Sequence, residues 1–318
     1  MTGGTGTAPA YLGAGPVAAL GPAAAAEALA DALRAGLDPE SCPHRTGVAA
    51  PAGELLLMPA AAGSWAGVKI AGVVPGNPAR GLPRITGSYL LLDGPTLTPV
   101  ALLDGAALTA LRTPAVSVLA LRHLARPGPL RLVLFGTGPQ ARGHLEAVCA
   151  VAEPAEVVVV GRRPDAVAGL LGYARELGVP RARAGAPADV AGADVVVCAT
   201  TAREPLFDGR LVAPGAVVVA VGSHEPDARE LDTALVRSAA VYVESRAAAL
   251  REAGDLLVPV AEGAIGTGHV TGTLADLVAG THRRQEDRPQ VFKSVGMAWE
   301  DLAVAAAVYR TVRANSET

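Results

Sequence analysis

A chain of 318 residues is long enough for two domains of ordinary size, each with its own core. Half of the residues are hydrophobic, 3% are aromatic and 18% are charged, so the core is expected to be built from Val, Leu and Ala. A net charge of −3 with no basic run excludes a polyanion binder, and no nucleic-acid partner is expected.

In chain order, residues 1–10 are Gly/Thr-rich and expected to fray. Helical periodicity covers 22–35 and stops at Gly-Leu-Asp-Pro. Strands are expected at 54–58 and 65–74, then a turn-rich loop through Pro75-Gly-Asn-Pro, then strands at 85–93 and 99–103. Near residue 107 the pattern changes. A helix at 107–125 is followed by alternating strands and helices: strand 130–135, helix 140–151, strand 156–160 and helix 165–177. Further strands are expected at 194–199, 216–221 and 241–243. This alternation predicts a doubly wound α/β domain, and runs of Val are what parallel strands buried on both faces require. The tail, 295–313, has helical spacing and is expected to pack back on another domain.

No apolar stretch approaches the roughly 20 residues needed to cross a bilayer, so no membrane partner is expected. No charged segment precedes the Ala-rich run near residue 22, so no secretory signal is expected. Cys42, Cys149 and Cys198 are scattered, which fits neither a disulfide framework nor a zinc site. A reducing cytoplasm is the expected compartment. Cys149 and Cys198 read as small buried hydrophobes. His44, His123, His144, His269 and His282 lack paired spacing, so no metal is expected.

The segment Leu132-Val-Leu-Phe-Gly136-Thr137-Gly138-Pro139-Gln140-Ala141 is a strand entering a Gly-rich turn and then a helix. Gly136 allows the tight turn, Gly138 lets the backbone approach a pyrophosphate, and Ala141 permits close helix–strand packing. That is the Rossmann dinucleotide fingerprint. NAD-binding chains place an acid about 20 residues further on, for the ribose 2′-hydroxyl. Here the second strand ends Gly161-Arg162-Arg163. Two guanidinium groups suit a 2′-phosphate, so the expected cofactor is NADP(H). Thr200, Thr201, Val221, Gly222 and Ser223 follow two predicted strands at their carboxyl ends, the edge where such a sheet binds its ligand.

Further segments stand out: Leu57-Met-Pro, Gly67-Val-Lys69, Pro75-Gly-Asn-Pro-Ala-Arg-Gly-Leu-Pro83 and Leu108-Thr-Ala-Leu-Arg112-Thr-Pro-Ala-Val-Ser117. So do Val221-Gly-Ser-His-Glu-Pro-Asp-Ala-Arg-Glu-Leu231, Glu252-Ala-Gly-Asp255 and Val291-Phe-Lys-Ser-Val-Gly-Met-Ala-Trp-Glu-Asp301. With these in this order, the chain resembles the ornithine cyclodeaminase/μ-crystallin family. The resemblance implies a Rossmann domain (116–292) inserted in a smaller α+β substrate-binding and dimerisation domain (1–115 and 293–318). It also implies a homodimer and hydride transfer between amino, imino and keto acids. By matching positions, Arg45, Lys69 and Arg112 correspond to residues that bind the substrate carboxylate. Cations there would hold the reacting carbon toward the nicotinamide.

Three departures from the ornithine-acting members matter. Leu56 stands where they carry an acid that meets the side-chain amine, and a Leu cannot pair an ammonium. His224 stands where they carry a catalytic Asp, and it can still move a proton near neutral pH. The NAD-selecting acid is absent. Arg84 stands where many members have Thr; it either binds a second acidic group or faces solvent. Asp227 is expected to cap a following helix. His44 is read as lining the pocket, and Lys293 is open between a structural and a functional role.

The expected function is therefore NADPH-dependent reduction of small α-imino acids, or of α-keto acids with an amine. Cyclic imines such as pyrroline-2-carboxylate or piperideine-2-carboxylate come first. Lys69, or else His224, supplies the proton. Two alternatives stay open: an ornithine or lysine cyclodeaminase, and a non-catalytic NADPH-binding protein of the μ-crystallin kind.

Overall fold

The computed structural model describes residues 8–316. The chain divides into two compact units. The first takes in residues up to 32, 41–112 and from 297 on, and the second takes in 33–40 and 113–296.

The first unit is built on a six-stranded sheet in the order β1-β6-β5-β4-β3-β2. Its strands are β1 (Ala10–Leu12), β2 (Thr46–Ala50), β3 (Gly53–Ala62), β4 (Trp65–Val73), β5 (Ile85–Asp93) and β6 (Pro99–Asp104). All neighbours are antiparallel except β1 and β6, which are parallel. Residues alternate between faces, as the pleat demands. Met58, Ala60, Lys69, Ala71, Tyr89, Leu91, Ala101 and Leu103 are buried on one face. Short helix α1 (Ala14–Ala18) and α2 (Gly21–Arg34) precede β2. The tail helix, α10 (Ala298–Ser316), packs on β3, β4 and β5, and Trp65 meets Tyr309 edge to face. The helix begins later than its periodicity predicts because Gly296 takes a left-handed φ of 75° just before it. The fraying expected for the N-terminus lies, up to Thr7, outside the described residues. From Ala10 it is overturned, since that residue opens β1.

The second unit carries an eight-stranded, all-parallel sheet in the order β13-β12-β14-β11-β10-β7-β8-β9. Its strands are β7 (Leu130–Phe135), β8 (Pro154–Val160), β9 (Ala182–Ala184), β10 (Val195–Cys198), β11 (Val217–Ala220), β12 (Ala240–Val243), β13 (Val270–Thr273) and β14 (Gln290–Lys293). The Val runs of β10 and β11 are buried at every position, as strands covered on both faces must be. Helix α3 (Gly105–Leu124) crosses from one unit to the other, with the division between Arg112 and Thr113. The remaining helices are α4 (Pro139–Val151), α5 (Pro164–Glu176), α6 (Thr233–Ser238), α7 (Arg246–Glu252), α8 (Gly254–Ala261) and α9 (Leu274–Ala279).

β7 is flanked by β8 on one side and β10 on the other. The chain therefore reverses its lateral direction at β7, and the crevice at the carboxyl ends of β7 and β10 is the topological switch point. β14, for which no strand was expected from the sequence, fills the gap between β11 and β12. No helix among the described residues is long and apolar enough to cross a membrane.

Candidate functional site

At the switch point, Gly136 has φ of 112° and a Cβ there would collide with the carbonyl of Ala199. Only glycine fits that approach. Gly138 has open space where its side chain would be, and it is the N-cap of α4. No side chain caps α4 and no acid sits in its first turn. A helix start without a capping side chain, roofed by a residue without Cβ, is a cradle for a phosphate group. Thr137 packs where a Cβ of Gly161 would stand, so the first turn lies against the end of β8. Arg162 and Arg163 follow directly, and both are exposed. These residues fit a dinucleotide.

His144 anchors α4 from below. Its Nδ1 lies 2.7 Å from the Gln140 carbonyl, and its Nε2 lies 2.8 Å from Ser117 Oγ. A carbonyl only accepts, so Nδ1 carries a proton. Burial lowers its pKa to about 4.

The other expected cofactor contacts lie on two loops, after β10 and after β11. Thr200 donates from both its backbone N–H, at 2.8 Å, and its hydroxyl, at 2.7 Å, to Glu230 Oε1. The Gly222 N–H donates to Glu230 Oε2 at 2.8 Å. Ser223 is buried and its hydroxyl donates to the Ala228 carbonyl at 2.7 Å, so it offers main chain to a ligand rather than its hydroxyl. Thr201 is exposed; Val221 and His224 are half-buried. Asp227 does not cap a helix. It lies in a turn closed by the Ala228 N–H donating to the Glu225 carbonyl and pairs with Arg203, and Asp232 caps the next helix, α6, through the Leu235 N–H. Lys293 is buried, donates to the Ser223 carbonyl at 2.6 Å and pairs with Asp255 at 2.9 Å.

In the first unit the register places Lys69 on β4 opposite Tyr89 on β5. Lys69 is 3% exposed and Arg112, on α3, is 6% exposed. Both meet acids in the first turn of α10. Lys69 Nζ lies 2.6 Å from Asp301 Oδ2, and Arg112 lies 2.6 Å from Glu300 and 3.3 Å from Asp301. Both acids are fully buried, and their charge also suits a helix N-terminus. Thr109 Oγ1 is 3.5 Å from Lys69 Nζ. Desolvation is the largest influence on Lys69; Asp301 opposes it and Arg112 adds to it, leaving the ammonium with a pKa of about 8. Burial raises the pKa of Tyr89 and of Cys42, which sits beside the same two acids. The Tyr89 hydroxyl, within electrostatic reach of Asp301, has no hydrogen-bond partner among the described residues, and neither has the buried Trp299 indole N–H.

Arg45, half-buried, stands one residue before β2, and His44 beside it is exposed. Arg84 is half-buried at the far end of the β4–β5 hairpin, where its carbonyl accepts from Val74. It is five residues from Tyr89 along the strand, roughly 17 Å. Sequence reasoning missed Glu300, Asp301, Glu230 and Asp255. The available signal was acids set in otherwise apolar segments. Among the described residues no group of three His, Cys, Asp or Glu could hold a metal ion.

The strand order and the glycine turn at the switch point define a Rossmann-type nucleotide-binding protein. A buried cluster of two cations and two acids completes the first unit. The chain belongs to the ornithine cyclodeaminase/mu-crystallin family, whose model matches residues 23–316. Over 261 residues it is 38% identical to a Delta(1)-pyrroline-2-carboxylate reductase of Bacillus cereus (strain ZK / E33L), covering 80% of each chain. The solved structure of Thermococcus litoralis Delta(1)-pyrroline-2-carboxylate reductase, in complex with NADH and L-proline, matches with a TM-score of 0.90 at 31% identity. That match covers 96% of this chain and 98% of the other. An archaeal alanine dehydrogenase dimer with bound NAD gives 0.90 at 29% identity, over 97% of both chains.

Proposed function

We propose that this chain is an NADPH-dependent reductase of small α-imino acids, with cyclic imines as its preferred substrates. The observation that carries the reading is the buried pair Lys69 and Arg112. Desolvating two cations beside two acids is poor strategy for stability, since apolar residues of similar volume often do as well or better. It is good strategy for gripping a carboxylate next to a reacting carbon. The relatives named as reductases of pyrroline-2-carboxylate support the substrate class.

In this reading the second unit binds the dinucleotide through Gly136, Thr137, Gly138, Pro139 and Gln140. Arg162 and Arg163 grip the 2′-phosphate, and Thr200, Thr201, Val221, Gly222 and Ser223 serve the nicotinamide side. The cofactor supplies a hydride when bound. Arg112 and Lys69, with Arg45, hold the substrate carboxylate. Lys69 carries a proton at neutral pH and is the first choice to donate or orient it, with His224 the second. Leu56, half-buried on β3, offers nothing to a substrate ammonium, which weighs against ornithine or lysine as substrate. Arg84 is reserved for a second acidic group on a larger substrate. The three cysteines, free of disulfides, suit a cytoplasmic enzyme.

The active species in this proposal is a homodimer. The second face of the first unit's sheet carries an apolar row, Tyr11, Leu102, Leu90, Val68 and Pro59, aligned across five strands. Tyr11, Val48, Leu55, Ile70 and Leu102 are exposed on the unit. A second copy would cover such a face, as patches of this kind mark association surfaces.

The experiment is a substrate panel read by NADPH oxidation: cyclic imino acids, then keto acids with ammonia or methylamine, each repeated with NADH. Fast turnover of a cyclic imine with preference for NADPH is expected. Ammonia release from ornithine without net NADPH change would replace this reading with cyclodeamination. NADPH binding with no turnover of any imine would make the protein a cofactor binder only. Equal rates with NADH would remove the role given to Arg162 and Arg163.

A further inference from the structure

The chain contains 25 arginines and only two lysines, Lys69 and Lys293. Wherever a cation faces solvent, this sequence uses arginine. Both lysines are buried, and each is paired with a buried aspartate. Lysine differs from arginine in being a compact charge that satisfies acceptors converging on one point. Position 293 has that geometry: Asp255 Oδ2 at 2.9 Å and the Ser223 carbonyl at 2.6 Å.

The contacts close into a ring. Asp255 Oδ1 accepts from the backbone N–H groups of Glu230, at 2.7 Å, and Leu231, at 2.9 Å. The Glu230 carboxylate spans the loops after β10 and β11 through Thr200 and Gly222. The residue after Gly222 is Ser223, whose carbonyl returns to Lys293. Glu230, Asp255 and Lys293 are each at most 1% exposed. Gly222 makes the ring possible, because a Cβ there would collide with the Thr200 carbonyl and the Glu230 carboxylate. A network of this kind costs desolvation that apolar packing would avoid, so its return is geometric.

We propose that Glu230, Asp255 and Lys293 are positioning residues: a buried latch that fixes the main chain of Thr200 and Gly222–Ser223 for the nicotinamide end of the dinucleotide before it binds. This rests on the reading that these loops face the cofactor. Preorganisation of this sort lowers the ordering cost of binding. The latch predicts a defect in cofactor binding that is separate from capture of the substrate carboxylate.

The test has two arms. In the cofactor-free wild-type chain, amide hydrogen exchange is followed at Thr200 and Gly222. Protection comparable to that of the sheet strands is expected; exchange at the rate of open loops would overturn the latch. In the second arm, Glu230→Gln and Gly222→Ala are titrated with NADPH by fluorescence. The glutamine brings a donor against donors, and the alanine forces the loops apart without altering charge. Each should weaken NADPH binding by about tenfold or more, the scale of one lost charge-assisted hydrogen bond. KM for the imine at saturating NADPH should be unchanged. Unaltered NADPH affinity in folded variants would also overturn the proposal. Should either variant not fold, the exchange arm decides alone. A wild-type chain that binds no dinucleotide would sink the functional reading, while the exchange arm would still report on the latch.

Discussion

The two units each bury a lysine against an aspartate, and the pairs are built to different specifications. In the second unit the Lys293–Asp255–Glu230 ring is closed: its groups bond one another or the main chain of two loops. In the first unit the Lys69–Asp301 cluster has capacity in hand. The Tyr89 hydroxyl, beside Asp301, and the buried Trp299 indole of the same unit have no partners among the described residues. Buried polar groups are normally satisfied, so in the function proposed above these unspent donors are capacity for the substrate. Under the proposals made above, buried charge has two uses: a closed network holds shape, and an open one waits for a ligand.

That comparison can be broken at its open end first. Lys69→Met should lower kcat/KM for the imine by about a thousandfold, in line with truncating one partner of a buried, hydrogen-bonded ion pair. NADPH affinity, measured by fluorescence titration, should stay unchanged. A parallel loss of NADPH binding would mean that the cluster serves the whole fold.

The closed side of the second unit should answer pH through stability. His144 has a folded pKa of about 4, below its unfolded value, so the native state holds fewer protons than the unfolded chain in between. Its contribution is complete above about pH 6.5 and is lost as pH falls toward 4, a change on the order of 3 kcal/mol. Urea denaturation from pH 7 to 4.5, compared with His144→Gln, would measure it. An identical slope in the variant would remove His144 from the account.

The smallest effect sharpens the comparison most. The Lys69 ammonium, with a pKa of about 8, should make kcat/KM fall on the alkaline side near that value. Asp301 holds the proton on, so Asp301→Asn should move this limb toward acid. Glu300→Gln should move it the same way by less, since Glu300 acts on Lys69 at longer range. A limb that stays put in both variants would assign it to another group.

Much of the second unit was legible because periodicity is local. The strand at 130–135 and, in the first unit, the strand at 85–93 were read to the residue. What escaped depends on distant partners. β1 has three residues and β14 has four, too few to show a period, and each becomes a strand only beside an existing edge. Asp227 resembled a cap in sequence, yet the chain only makes a single turn there, no helix follows it directly, and Arg203 takes its charge. The cations were legible through motif and resemblance, but their counter-ions were not. Asp301 meets Lys69 from 232 positions away, and Asp255 reaches Glu230 from 25. Nothing in local spacing announces such pairs; only the tertiary fold brings them together.

The scarcity of lysine gives the molecule a built-in gauge. One lysine amine is sealed in each compact unit, so an acylating reagent applied to the native chain reaches neither of them. During partial unfolding, peptide mass spectrometry would show which seal opened first. Lys69 would report the first unit and Lys293 the second, without any engineered label.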